Sequence, residues 1–99
     1  MIARHWKGIA KAHRAEEYVR HLKSDTFPKL IEISGFVKAS ILRRSVESGI
    51  EFLVITTWES LESIRSFSGE DVETAVVPNV VQEMMVEWDK KATHYEIVT

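Results

Sequence analysis

Apolar positions along the chain alternate between two kinds of spacing, and the order of these spacings predicts a fold. Met1 to Ala10 carries Ile2, Ala3, Trp6 and Ile9 with no helical stripe, and reads as a first strand. His13 to Lys23 reads as a helix, because Ala15, Tyr18, Val19 and Leu22 gather on one side of a helical wheel. Pro28 is expected to interrupt it, lacking an amide donor and clashing with the preceding turn. Phe27, Leu30 and Ile31 predict a second short helical segment, and Gly35 ends the helical region.

Phe36 to Val46 and Ile50 to Trp58 read as a second and a third strand, joined by Glu47-Ser48-Gly49 as a hairpin loop. The third strand is apolar on both faces: Phe52, Val54 and Trp58 on one, Leu53 and Ile55 on the other. An antiparallel strand with one wet face should alternate. The helices in a chain of this length cover one face, so the other predicts a partner subunit.

Ser60 is placed to cap a following helix whose stripe is Leu61, Ile64 and Phe67, with Gly69 as its stop. Glu70 to Val77 predicts a further helical turn closed by Pro78. Asn79 to Val86 fits a helical turn better than a strand, through Val80, Val81, Met84 and Met85. Lys90 to Val98 alternates as a fourth strand. The predicted order is β-α-β-β-α-β, a single ferredoxin-like α+β domain over residues 1–99 with a four-stranded antiparallel sheet.

Composition narrows function mostly by exclusion. The chain has no cysteine, which removes disulfides, thiolate metal sites and a cysteine nucleophile. The net charge is -2, with a basic N-terminal third and an acidic remainder, and no basic cluster is interleaved with aromatics. No nucleic-acid partner is therefore expected. No apolar run approaches a membrane span or a signal segment, so no membrane partner and a cytoplasmic location are expected. His13, Glu17 and His21 share one helical face, but it is the solvated one, where nothing would orient metal ligands. No metal site is expected, and no phosphate loop or nucleophile elbow is present.

Arg4-His5-Trp6-Lys7-Gly8, Tyr18 with Leu22, Gly35-Phe36, Leu42-Arg43-Arg44, Glu51-Phe52, Thr57-Trp58-Glu59-Ser60, Ile64 to Asp71 and His94-Tyr95-Glu96-Ile97-Val98 follow one another in an order that spans almost the whole chain. In this the chain resembles the antibiotic biosynthesis monooxygenase-like family of dimeric α+β barrels. The resemblance implies a homodimer with a pocket between each sheet and its helices. It also implies oxidation of an activated aromatic by molecular oxygen, without a cofactor. A related branch degrades haem with an asparagine on strand one, the tryptophan ending strand three and a histidine on the next helix. Of these the tryptophan carries over, as Trp58; His5 stands near the asparagine's place, and no histidine follows Trp58 until His94.

Under that resemblance Trp58 and His5 are the catalytic candidates. Trp58 would wall the pocket and offer its indole N–H to a substrate oxygen, or would simply pack under the helix. His5 would take a proton from a phenol or anthrone-type acid, or would be a hydrogen-bonded strand residue. Trp6, Phe67, His94 and Tyr95 are the candidates for contact with a small apolar or aromatic ligand. Alternation puts Arg4 and Trp6 on the face opposite His5 and Lys7. Three readings follow: a cofactor-independent monooxygenase-like protein, a non-catalytic ligand-binding dimer, and a structural dimer whose pocket is filled by its own side chains.

Overall fold

The computed structural model describes residues 1–99, and its centre is β1 (Ile2–Ala10), a strand paired along both edges. On one edge it pairs antiparallel with β3 (Gly49–Trp58), from Ile2 opposite Trp58 to Ala10 opposite Ile50. Beyond β3 lies β2 (Phe36–Val46), joined to it by the expected hairpin. The other edge of β1 holds two short strands end to end. β4 (Met85–Trp88) pairs with Gly8 to Ala10, and β5 (Thr93–Glu96) pairs with Ile2 to His5.

This corrects the expected four-stranded sheet to five strands, the fourth position being split. The split is closed by one residue. Asp89 donates its N–H to Lys7 O at 2.8 Å and accepts from Lys7 N through Oδ2 at 3.3 Å. Its own carbonyl accepts the Trp6 indole N–H at 2.9 Å. The segment Asn79 to Val86 is therefore not one element: α4 (Asn79–Met84) passes directly into β4 at Met85. Strand five is also shorter than the expected Lys90 to Val98.

All helices lie on one face of the sheet, which buries Phe52, Val54, Thr56 and Trp58 and leaves Leu53 and Ile55 half-buried on the other. Helix formation begins at a 3-10 turn (Ala12–Arg14) and runs through α1 (Ala15–His21), a π-helical stretch (Leu22–Thr26) and α2 (Phe27–Ile31) without a break. Pro28 does not interrupt it. It sits in the first turn of α2, and the turn before it is widened so that Phe27 N–H reaches back five residues to Leu22 O. A widened turn meets a proline's missing donor at lower cost than a broken helix.

The core is in two parts. One gathers Ala10, Tyr18, Leu22, Phe52, Val54, Val81, Met84 and Met85 with their neighbours; the other is Leu30, Trp58 and Ile64. Each wholly buried large side chain (Phe52, Trp58, Leu30, Ile64) contributes about 2–3 kcal/mol relative to exposure. Ser60 caps α3 (Leu61–Ser68) by accepting Ser63 N–H at 3.3 Å, as expected. Glu70 to Val77 is not a helix. It is a strap, pinned by Ala92 N–H to Glu73 O at 2.8 Å and Ala75 N–H to Lys90 O at 3.2 Å. No helix is long and apolar enough to cross a membrane.

Gly35 and Gly69 bracket the strand-to-helix unit, both with positive φ (94° and 87°). A Cβ at Gly35 would lie 2.4 Å from Ser63 Cβ, whereas one at Gly69 would meet nothing within 4 Å. Both replacements by alanine are strained, by about 1 kcal/mol or more. We expect Gly35→Ala to lower stability by about 2 kcal/mol beyond Gly69→Ala, because of the added clash. Urea unfolding of the two variants side by side checks the ranking.

Candidate functional site

A recess with a cavity volume of about 60 Å3 opens between the sheet and the helices, at the seam of the two core clusters. Its floor is Arg4 and Trp6 of β1 with Val54 and Thr56 of β3; its roof is Tyr18, Leu22, Thr26, Phe27 and Leu30. Phe67 and, from the strap, Val76 form the remaining side. The π-helical stretch contributes Leu22 and Thr26, so the widened turn shapes the roof. Most of the wall is apolar. The exceptions carry the chemistry.

Arg4 is a guanidinium that is 4% exposed and has no carboxylate partner among the ion pairs of the chain. Its Nη1 donates to Val72 O and to His94 Nε2 at 3.0 Å, and its Nη2 donates to Thr74 O at 2.8 Å. It therefore ties β1 to the strap. Burial lowers its pKa to about 10, which leaves it cationic at neutral pH. The Phe67 ring lies 5.7 Å from its Cζ, and the ring face supplies some of the missing negative potential.

His94 lies directly across from Arg4 in the register of β1 and β5. Arginine is only a donor, so His94 Nε2 must accept, and the ring proton is on Nδ1. Burial first, and then the Arg4 charge, lower the His94 pKa below the ordinary 6.5, against a smaller opposing pull from Glu73.

Thr56 stands opposite Arg4 in the β1–β3 register and lines the same recess. Trp58 Nε1 donates to Thr56 Oγ1 at 2.8 Å, and an indole N–H can only donate. The threonine hydroxyl proton is left free to point elsewhere. Tyr18 also faces the recess, packed edge-on against Phe52 at 4.9 Å between ring centroids. Burial raises its pKa well above the ordinary value, so its phenol stays protonated and serves as a neutral polar group.

The six candidates read from the sequence separate into three places. Trp6 and Phe67 line the recess. Trp58 and His94 lie one layer behind it, reaching it through Thr56 and Arg4; Trp58 is wholly buried, and its N–H is engaged within the protein. Phe67 stacks on Trp58 at 6.3 Å, so the tryptophan also positions that wall. His5 and Tyr95 are on the other face of the sheet, with ring centroids 4.9 Å apart. Arg43 and Arg44 are in ion pairs with Glu16 (2.5 Å) and Glu51 (2.6 Å). On the outer helix face Glu17 is bound by Arg14, and no three-residue group suited to a metal ion is present.

Arg4, Thr56 and Tyr18 line the recess and are absent from the candidate set. Alternation carried the signal for the first two: Arg4 shares a face with Trp6, and Thr56 with Trp58. Tyr18 was legible as part of a core stripe and of the family resemblance, not as a residue of the recess.

This arrangement is a ferredoxin-like α+β fold with a recess between sheet and helices. Solved structures share the fold over essentially their whole length. A candidate antibiotic biosynthesis monooxygenase from Bacillus cereus superposes with a TM-score of 0.69 at 17% identity, covering 100% of this chain and 93% of that one. Another from Bordetella bronchiseptica gives 0.68 at 13% identity, with 99% and 97% covered. The haem degrader MhuD of Mycobacterium tuberculosis, solved with two haems in its active site, gives 0.67 at 16% identity, with 100% and 97% covered. The fold implied by the resemblance is thus the fold of this chain. No protein-family model and no curated protein matches the sequence.

Burial of His94, and then the Arg4 charge beside it, make stability depend on pH. His94 binds its proton less readily folded than unfolded, so the unfolded state takes up more protons below about pH 6.5. The contribution is complete above that value and is lost as pH falls toward the folded pKa. His94→Gln keeps an acceptor for Arg4 that does not titrate. Urea midpoints at about pH 7.5 and about pH 5.5 should fall less in His94→Gln than in the wild type.

Proposed function

We propose that the recess binds a small aromatic or otherwise activated apolar molecule and lets it react with molecular oxygen, the protein supplying position and charge rather than a cofactor. The observation that carries this reading is Arg4: a buried, uncompensated cation set against an apolar wall, with the Thr56 hydroxyl beside it. Such a pair stabilises an enolate or phenolate oxygen more than its neutral acid. Stabilising that anion lowers the substrate's own pKa, which is the step this chemistry requires.

For an anthrone-type carbon the balance is simple. The CH2 group loses a proton to water, and the resulting carbanion transfers electron density to O2 and forms a C–O bond. The peroxide takes up a proton; the second C–H proton then passes to water as the O–O bond breaks, and the departing hydroxide leaves as water once protonated, forming a C=O. One O2 is reduced, and the carbon supplies the electrons. Trp58 acts in this scheme as a positioning residue, holding Thr56 with its proton directed away from the indole.

A second reading is a binding module without chemistry. One observation favours it: no side chain lining the recess is a base at neutral pH, since Arg4 and Tyr18 are both protonated. The neighbour that degrades haem suggests a third ligand, but the donor set does not fit haem iron. None of the four histidines lines the recess, and His94 Nε2 is bound to Arg4.

We also propose a homodimer through the open sheet face, where Leu53 and Ile55 are half-buried and Leu42 and Tyr95 are exposed. His5 would then lie at the interface and not in the recess. Leu53→Asp changes a side chain that one subunit only half buries, outside both core clusters, so it should leave a folded monomer. Light scattering at micromolar concentration should show the wild type at twice that mass.

The test of chemistry is oxygen uptake by metal-free protein with reduced polycyclic phenols and anthrones, the uncatalysed rate subtracted. Uptake above that rate, lowered about tenfold or more by Thr56→Val, is the expected result. Binding of the same compounds with no uptake assigns the protein to the second reading.

A further inference from the structure

We infer that the ligand of the recess is a small apolar acid bound as its monoanion, its charge against Arg4 and its body between Trp6, Phe27 and Phe67. This rests on the reading that the recess is the ligand site, and adds a charge to the occupant.

The count of donors leads to it. A guanidinium carries five N–H groups. Two on Nη1 are engaged by Val72 O and His94 Nε2, and one on Nη2 by Thr74 O. The Nε–H and the second Nη2–H have no protein acceptor. All three acceptors are neutral, so hydrogen bonds are partly supplied and charge is not. Burying a cation without its counter-charge costs several kcal/mol.

The nearby acids do not supply that charge. Asp71 is turned to the Glu73 N–H at 3.0 Å, and Glu73 acts on His94. Neither forms an ion pair with Arg4. The chain thus keeps Asp71, Glu73 and a buried arginine in and around the strap without pairing either acid with it.

An entering carboxylate, enolate or acidic phenolate would place one or two oxygens on the two vacant N–H groups. Thr56, directly opposite, adds a third donor through its free hydroxyl proton. Charge-assisted bonds of this kind are the strong ones. A neutral ligand would leave the guanidinium as it is, and a cation would be repelled. Because the latch to Val72 and Thr74 uses other N–H groups, the anion binds without opening the strap.

The probes are 2-naphthoate and 2-naphthamide, matched in shape and differing in charge, titrated calorimetrically into wild-type protein at about pH 7.5. We expect the naphthoate to bind about tenfold or more tighter, the size of one charge-assisted hydrogen bond. Arg4→Met should bring the two to parity, with its fold checked by circular dichroism. Phe67→Ala should weaken both alike and keep their ratio, which guards against a misfolded arginine variant. Equal affinities in the wild type overturn the inference and leave the recess standing as a ligand site. A ratio that survives in folded Arg4→Met also overturns it. Binding of neither probe overturns the inference and the recess reading together, and oxygen uptake has no part in any of these outcomes.

Discussion

A buried guanidinium has to find oxygen, and in this chain it finds it in the main chain of a segment with no regular structure of its own. Residues Glu70 to Val77 form neither helix nor paired strand, yet Val72 and Thr74 present their carbonyls to Arg4 in the middle of the sheet. That demand fixes the strap over the edge of the sheet, and the strap in turn closes one side of the recess with Val76.

The division of the core follows from the same place. Between the Phe52 and Trp58 clusters the floor is Thr56 and Arg4, a polar pair in a region where close packing would otherwise favour aliphatic side chains. On the roof, the π-helical stretch accommodates Pro28 and displaces Leu22 and Thr26 from the positions of a regular helix. Both departures from ideal structure meet at one cavity. Departures of this kind concentrate at sites that bind or react.

Much of the fold was legible in the sequence because it depends on neighbours close in the chain. The hairpin around Ser48 and Gly49, the Ser60 cap and the two apolar faces of β3 are local patterns, and the structure has each of them. The α4–β4 segment was not legible. Val81, Met84 and Met85 are all buried, and helix passes to strand at Met85 with no glycine or proline to mark the change. The site was legible in part: alternation placed Trp6 with Arg4 and apart from His5. The role of Arg4 was out of reach, since its partners lie 68, 70 and 90 residues away. Trp58 is the instructive case. It reaches the recess only through the hydroxyl it holds.

The split fourth strand bears on how the molecule meets its own copies. Where β4 stops and β5 starts, Asp89 turns the chain, so that margin of the sheet never offers an unbroken row of free amides and carbonyls. A strand from another molecule finds no template there. The opposite margin, β2, is eleven residues long and continuous, and carries Lys38, Arg43 and Arg44. Runaway edge-to-edge growth, the route to fibrils, is thus blocked at one margin by geometry and discouraged at the other by charged side chains and by the irregularity between Phe36 and Lys38. The proposed dimer would use the broad face instead, a surface that pairs once and offers nothing to a third copy.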